Sequence, residues 1–222
     1  EDAQQLRLQR QGQLADLVEQ QRAAVGDRER AGARLARVGE SAAAMAELED
    51  QTRTVQSGGR AVPRVFKEPC AFNVFSHDSA MDPATGSNGE EAKMASETRR
   101  IWNDPAIKIS ATCVRVGVLR GHSESINLTL KQPATEKQVR EALASGPGLT
   151  IVDDRTRNDF PTPLKATGGD TVLVGRIRPD DSQSATAGGQ SAYRGWNLFV
   201  SGDQVRMGAA LTAVKIAELL AR

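Results

Sequence analysis

Four side chains in this sequence have the types and spacing to do chemistry: Arg115, His122, Glu90 and Lys93. Arg115 and His122 lie in the stretch from Ile107 to Leu130, IKISATCVRVGVLRGHSESINLTL, beside Arg120 and Glu124. This is the densest polar cluster in any strand-like part of the chain. A planar guanidinium can clamp a carboxylate through two parallel hydrogen bonds, and an imidazole titrates near neutrality. The pair therefore suits acid–base work on an anionic substrate. The two residues are seven apart, and on a flat strand an odd separation puts side chains on opposite faces. They meet only if the backbone bends, which Gly117 and Gly121 permit. The competing reading is an edge strand with solvated arginines and a hydrogen-bonded histidine.

Glu90 and Lys93 belong to a different element. Ser87 followed three residues on by Glu90 is a capping-box signature, opening a helix to about Trp102. Met94, Thr98, Ile101 and Trp102 mark its expected buried stripe. Glu90 and Lys93, at i and i+3, share a face away from that stripe. Without other information they are a surface ion pair contributing a few tenths of a kcal/mol.

The elements that must position these residues follow from periodicity. Ile107 and Ile109, then Val114, Val116 and Val118, then Ile126, Leu128 and Leu130 alternate with polar residues, which predicts two strands or one long bent one. Ala71–His77 is a strand-like run followed by a polar loop, in which His77 is expected to be structural or solvent-facing. Thr135 caps a short helix through Ala144, with Val139 and Leu143 facing inward. Leu149–Val152, Val172–Arg178 and Trp196–Val200 are strands, separated by loops over 153–164 and 180–194. Helices and strands are interspersed, so the fold class is α+β, a mixed β-sheet with flanking helices. Residues 1–57 are rich in Gln, Arg, Glu and Ala and predict a helical appendage with irregular apolar spacing. Arg206–Leu220 predicts a helix apolar on most of its circumference, which needs cover on more than one side.

Composition narrows the function. With 29 basic and 28 acidic residues the net charge is +1, which gives no reason to expect nucleic acid or an anionic membrane as partner. Cys70 and Cys113 stand 43 residues apart, and with two histidines they form no zinc-like spacing. No apolar run reaches the length of a membrane span, and the first residues lack an apolar signal core. A soluble protein of a reducing compartment is expected.

The run from Ala71 to Leu220 resembles the C-terminal half of aspartate-semialdehyde dehydrogenase, in its plant-like or algal branch. The matching segments are AFNVFSHDS at 71–79, EEAKMASETRRIW at 90–102, ATCVRVGVLRGHSESINL at 111–128, FPTP at 160–163, VLVGRIR at 172–178 and GDQVRMGAALTAVKIAELL at 202–220. AAAMAELEDQT at 42–52 is also similar, whereas residues 1–40 are not. The resemblance implies a domain like the C-terminal one of glyceraldehyde-3-phosphate dehydrogenase-like enzymes. It divides the chain into a helical segment over 1–57, a dimerisation and substrate domain over 58–205, and a C-terminal helix over 206–222 that would pack on a nucleotide-binding domain. It implies NADPH-dependent reduction of aspartyl β-phosphate to aspartate β-semialdehyde and phosphate, in lysine, threonine and methionine biosynthesis, through a covalent cysteine intermediate. By the same resemblance His122 is the acid–base residue, Arg115 binds the substrate carboxylate, Glu90 the amino group and Lys93 the phosphate. A homodimer in plastid stroma or cytoplasm is implied as well.

Two parts of that enzyme have no match in the sequence. No glycine-rich nucleotide fingerprint occurs, and neither Cys70 (EPCAF) nor Cys113 (ATCVR) has the asparagine–cysteine–serine context of the family's nucleophile. The chain alone is therefore expected to be inactive. The alternatives are a non-catalytic dimerisation module, or a related acyl-phosphate reductase such as the N-acetyl-glutamyl-phosphate enzymes. Glu90, Lys93 and ETRRIW argue against the last.

Overall fold

The computed structural model describes residues 28–183 and 192–220. The first 27 residues of the expected helical appendage, and part of the 180–194 loop, lie outside the described residues. The chain divides into two compact units, Glu1–Leu119 and Arg120–Arg222.

In the first unit, helix α1 (Arg28–Gln56) precedes strand β1 (Val74–Ser76), helix α2 (Gly89–Ile101) and strand β2 (Val114–Val116). β1 and β2 form an antiparallel ribbon with Phe75 opposite Arg115. Its core is small: Leu48 of α1 packs on Cys70 and Ala71, with Phe66 and Phe75 at the margin. Polar bonds supplement that core. Gln51, 1 % exposed, donates to Val62 O and accepts from the backbone N–H of Cys70 and Ala71. The connector thus lies on the helix through groups that would otherwise be buried without partners.

α2 starts one residue later than Ser87 and Glu90 suggested. Asn88 is the N-cap: its side chain accepts from Glu91 N, and the Glu91 carboxylate accepts from Asn88 N. Two overlapping capping boxes are written in SNGEE, and Glu91 decides between them because its other oxygen accepts from Cys113 N at 2.9 Å. The expected buried stripe is not observed. Ile101 and Trp102 are 63 % and 66 % exposed, and no residue of α2 is buried. Residues 107–112 form no strand either. Their alternation is real, but no strand among the described residues pairs with it.

The second unit holds β3 (His122–Thr135), helix α3 (Glu136–Ala144), β4 (Leu149–Ile151), the short α4 (Pro163–Ala166), β5 (Val172–Pro179), β6 (Ala192–Gly202), a π-helical turn Arg206–Ala210 and α5 (Leu211–Leu220). The sheet order is β3-β6-β5-β4, antiparallel except for the parallel β4–β5 pair. This is the mixed sheet expected from the sequence, with β3 and β6 longer than their alternation alone marked. Ile126, Leu128 and Leu130 of β3 and Val139 and Leu143 of α3 pack on Ile177, Trp196 and Leu198. Thr135 caps α3 in a capping box with Gln138, as its position foretold. β5 shifts register between Gly175 and Arg178, and Asp153 fills the irregularity by accepting from Arg176 N and Ile177 N.

Candidate substrate-binding site

Arg115 sits in the middle of β2, directly across from Phe75. Its Nε donates to Asp78 Oδ1 at 2.6 Å, and Nη2 reaches His77 Nε2 at 3.2 Å. The guanidinium carbon lies 4.3 Å from the centre of the Phe66 ring, a cation–π distance. Burial opposes ionisation of Asp78, but the hydrogen bond and charge of Arg115 outweigh it and hold the carboxyl below its ordinary range. His77, expected from the sequence to play only a structural or solvent-facing part, is therefore in direct contact with the candidate carboxylate-binding arginine. No spacing rule marks it, because it comes from a loop.

From His77 the hydrogen bonds run to α2. His77 Nδ1 lies 3.1 Å from Ser79 Oγ and accepts from the Ser79 N–H at 3.2 Å. Ser79 Oγ also accepts from Glu90 N at 3.1 Å and donates to Asn88 Oδ1 at 3.4 Å. β2 and the first turn of α2 are thus joined through the 77–79 loop. On α2, Lys93 Nζ lies 3.2 Å from Glu90 Oε1. Glu91 closes the capping box and binds Cys113, so Glu90 alone of the two acids is left to face Lys93.

His122 opens β3 in the second unit, opposite Gly202 and exposed. Its approach is fixed by the residues around it. Gly121 has φ +101°, and a Cβ there would come within 3.0 Å of Pro163, so glycine is required on both counts. Gly121 N donates to Gln204 Oε1, His122 O accepts from Ser201 Oγ, and the guanidinium of Arg120 pairs with Asp203 at 2.8 Å. Asp203 is fully buried and also accepts from Gly168, Val205 and Arg206 N–H groups. Burial again pushes towards the neutral acid, and these donors reverse it, keeping the carboxyl below its usual range. The structure accordingly places Glu90, Lys93 and Arg115 in one unit and His122 in the other.

The cysteines are unlike nucleophiles. Cys70 is 5 % exposed, and burial, with Glu47 nearby, raises its thiol to about 11. Cys113 Sγ is 3.3 Å from Met94 Sδ. Neither stands at a helix N-terminus in the described residues. The β4–β5 crossover does not suit a dinucleotide either. The one parallel strand pair among the described residues, β4–β5, leaves β4 through Val152-Asp153-Asp154-Arg155 and crosses over by a helix of four residues. Two acids stand where a pyrophosphate needs glycine, backbone N–H groups and a helix N-terminus.

A four-stranded mixed sheet backed by helices in one unit, and a two-stranded ribbon beside a helix in the other, define an α+β protein. The chain belongs to the semialdehyde dehydrogenase dimerisation-domain family, whose model matches residues 35–207. It is 45 % identical over 184 residues to an aspartate-semialdehyde dehydrogenase of Synechocystis, covering 82 % of this chain and 51 % of the relative. The crystal structure of aspartate semialdehyde dehydrogenase II from Vibrio cholerae complexed with ASA superposes with a TM-score of 0.72 at 39 % identity, over 81 % of this chain and 50 % of that one. A probable aspartate-semialdehyde dehydrogenase from Pseudomonas aeruginosa gives 0.68 at 30 % identity. The chain spans about half the length of the relatives it matches. No helix among the described residues is long and apolar enough to cross a membrane.

Proposed function

We propose that this chain is the substrate-binding and dimerisation half of an aspartate-semialdehyde dehydrogenase, which reduces aspartyl β-phosphate to aspartate β-semialdehyde and phosphate with NADPH. The observation that carries this reading is the hydrogen-bonded path from Arg115 through His77 and Ser79 to the backbone of Glu90, one helical turn before Lys93. It ties a carboxylate-binding cation to an amine-binding anion and a phosphate-binding cation, the three charged groups that such a substrate presents.

The chemistry of each residue follows. Arg115 offers its guanidinium fork to the α-carboxylate. Glu90 exchanges Lys93 for the α-amino group, and Lys93 turns to phosphate; both are surface side chains, so the exchange costs little. His122 moves the proton that the carbonyl oxygen or thiol gains or loses. The reactive thiol and the NADP site are assigned to no described residue, in keeping with the high thiol pKa of Cys70 and the acidic β4 turn. A homodimer, formed through the domain that gives the family its description, is part of the proposal.

The test is complementation. Mixed with the remaining half of the Synechocystis relative, the full chain should restore NADPH oxidation in the presence of aspartyl phosphate, and His122→Ala should abolish it. If the chain self-associates but neither restores turnover nor binds aspartate semialdehyde, it is a non-catalytic dimerisation module instead.

A further inference from the structure

A guanidinium has two hydrogen-bonding edges. The side-on edge carries Nε–H and one Nη2 hydrogen; the end-on edge carries the outer hydrogens of Nη1 and Nη2. In this chain the side-on edge of Arg115 is filled by two different acceptors from consecutive residues: Asp78 Oδ1 at Nε and His77 Nε2 at Nη2. One face of the group rests on Phe66. Nη1 has no protein partner among the described residues, and the side chain remains 33 % exposed. Two in-plane bonds and a stacked ring fix a planar group in every rotational degree of freedom that matters for a second, in-plane ligand.

We propose that Asp78, with His77, is the positioning residue of Arg115, holding the guanidinium so that its end-on edge receives the α-carboxylate of the substrate. The inference rests on the reading of Arg115 as the carboxylate-binding residue and deepens it. Consecutive placement matters here: Asp78 and His77 ride on one loop, and the next residue, Ser79, holds His77 Nδ1 and the Glu90 amide. The loop therefore sets the orientation of Arg115 and the position of the Glu90–Lys93 turn together. Two effects of Asp78 on a bound carboxylate oppose each other. Its charge repels the ligand, while its bond orients the fork. With an exposed ligand edge the repulsion is screened, whereas a misplaced fork loses one of its two charge-assisted bonds outright, a loss of about 10-fold in affinity. Orientation is the larger effect.

The experiment uses the full chain and two readouts. In a 15N spectrum the Arg115 Nε–Hε resonance, assigned by its absence in Arg115→Lys, should be shifted downfield and slow to exchange. Asp78→Asn should return it to the position of a solvated arginine, and Asp78→Glu should restore it in part. By calorimetric titration with aspartate semialdehyde, Asp78→Asn should weaken binding about 10-fold, with Asp78→Glu recovering most of the loss. His77→Gln, which keeps an acceptor, guards against a fold defect and should weaken binding less than Asp78→Asn. Unchanged or tighter binding in a folded Asp78→Asn protein, with Arg115→Ala still abolishing binding, overturns the positioning role alone. Binding that survives Arg115→Ala, or is absent from the unsubstituted chain, overturns the carboxylate reading beneath it.

Discussion

Gln51 Nε2 donates to Glu47 Oε1 at 2.6 Å across one turn of α1, with both side chains almost wholly removed from solvent. Each reaches the connector that follows: Glu47 accepts from Arg64 N and Val65 N, Gln51 from Cys70 N and Ala71 N. A helix with a weak apolar face is thus attached to its unit mainly by polar groups. Gln51→Ala leaves the backbone amides of the buried Cys70 and Ala71 without partners and should cost about 2–4 kcal/mol. The check is urea unfolding, with the midpoint falling at unchanged slope; a loss below about 0.5 kcal/mol would refute the attachment.

The parallel β4–β5 pair depends on the absence of a side chain at 175. A Cβ on Gly175 would run into Val152 O and come within 2.5 Å of Pro161 Cδ, and the Val152 N–H is itself bonded to Val174 O at 2.8 Å. Neither neighbour is a flexible side-chain end, so the strand must separate. Gly175→Ala should destabilise by about 3 kcal/mol, read as a lower thermal midpoint in calorimetry. Retention of the native midpoint would mean that the pairing relaxes freely.

Much of this was legible in the sequence, and the failures have physical causes. The long strands β3 and β5 and the capped helix α3 follow from period-two and capping patterns that the tertiary structure reinforces. The stripe of α2 failed because spacing states which residues share a face, not whether anything covers that face. Ile107 and Ile109 failed for a similar reason, since alternation does not supply a partner strand. The candidate residues Arg115, His122, Glu90 and Lys93 were marked by residue type and resemblance. The contacts of Asp78 and His77 with Arg115 were not legible, because a loop reaches its target through backbone geometry that no spacing encodes.

Cys70 gives a prediction in pH. Its folded-state thiol, raised to about 11 from an ordinary 9.0 by burial, with Glu47 adding to it, holds its proton after the unfolded chain has released it. Stability is therefore unaffected below about pH 9 and falls as pH rises from there towards 11. Cys70→Ala should flatten that alkaline decline. In the native protein near pH 8, thiol labelling followed by peptide mass analysis should find Cys113 modified well before Cys70. Faster labelling of Cys70 would contradict its burial.

Asp203 predicts the opposite limb. Its carboxyl is held below the ordinary 3.8 despite burial, by Gly168, Arg206, Arg120 and Val205. Its stabilising contribution is complete above the unfolded value and is lost as pH falls below about 4 through the lower folded value. Asp203→Asn removes the charge that Arg120 faces, so the variant should be less stable at pH 7 and lose less on acidification. Parallel unfolding curves at pH 7 and pH 3 check this; equal acid sensitivity in both proteins would rule it out. The same variant loosens the strand start that carries His122, so the complemented enzyme should lose turnover more than substrate affinity.

Lys93 separates a solvated ion pair from a functional one. Its ammonium meets Glu90 at 3.2 Å with 43 % and 35 % of the two side chains exposed, so the pair itself contributes no more than about 1 kcal/mol and less in salt. Lys93→Ala should therefore leave the urea midpoint nearly unchanged. If Lys93 receives the phosphate, as proposed, the same change should weaken inorganic phosphate binding by the full chain about 10-fold, a loss of roughly 1.4 kcal/mol. Lys93→Arg keeps the charge and should retain most of the affinity. Titration of phosphate at low and physiological salt checks both. A variant that binds phosphate as the unsubstituted chain does would return Glu90 and Lys93 to the status of an ordinary surface pair, and the phosphate site would have to be sought on other cations.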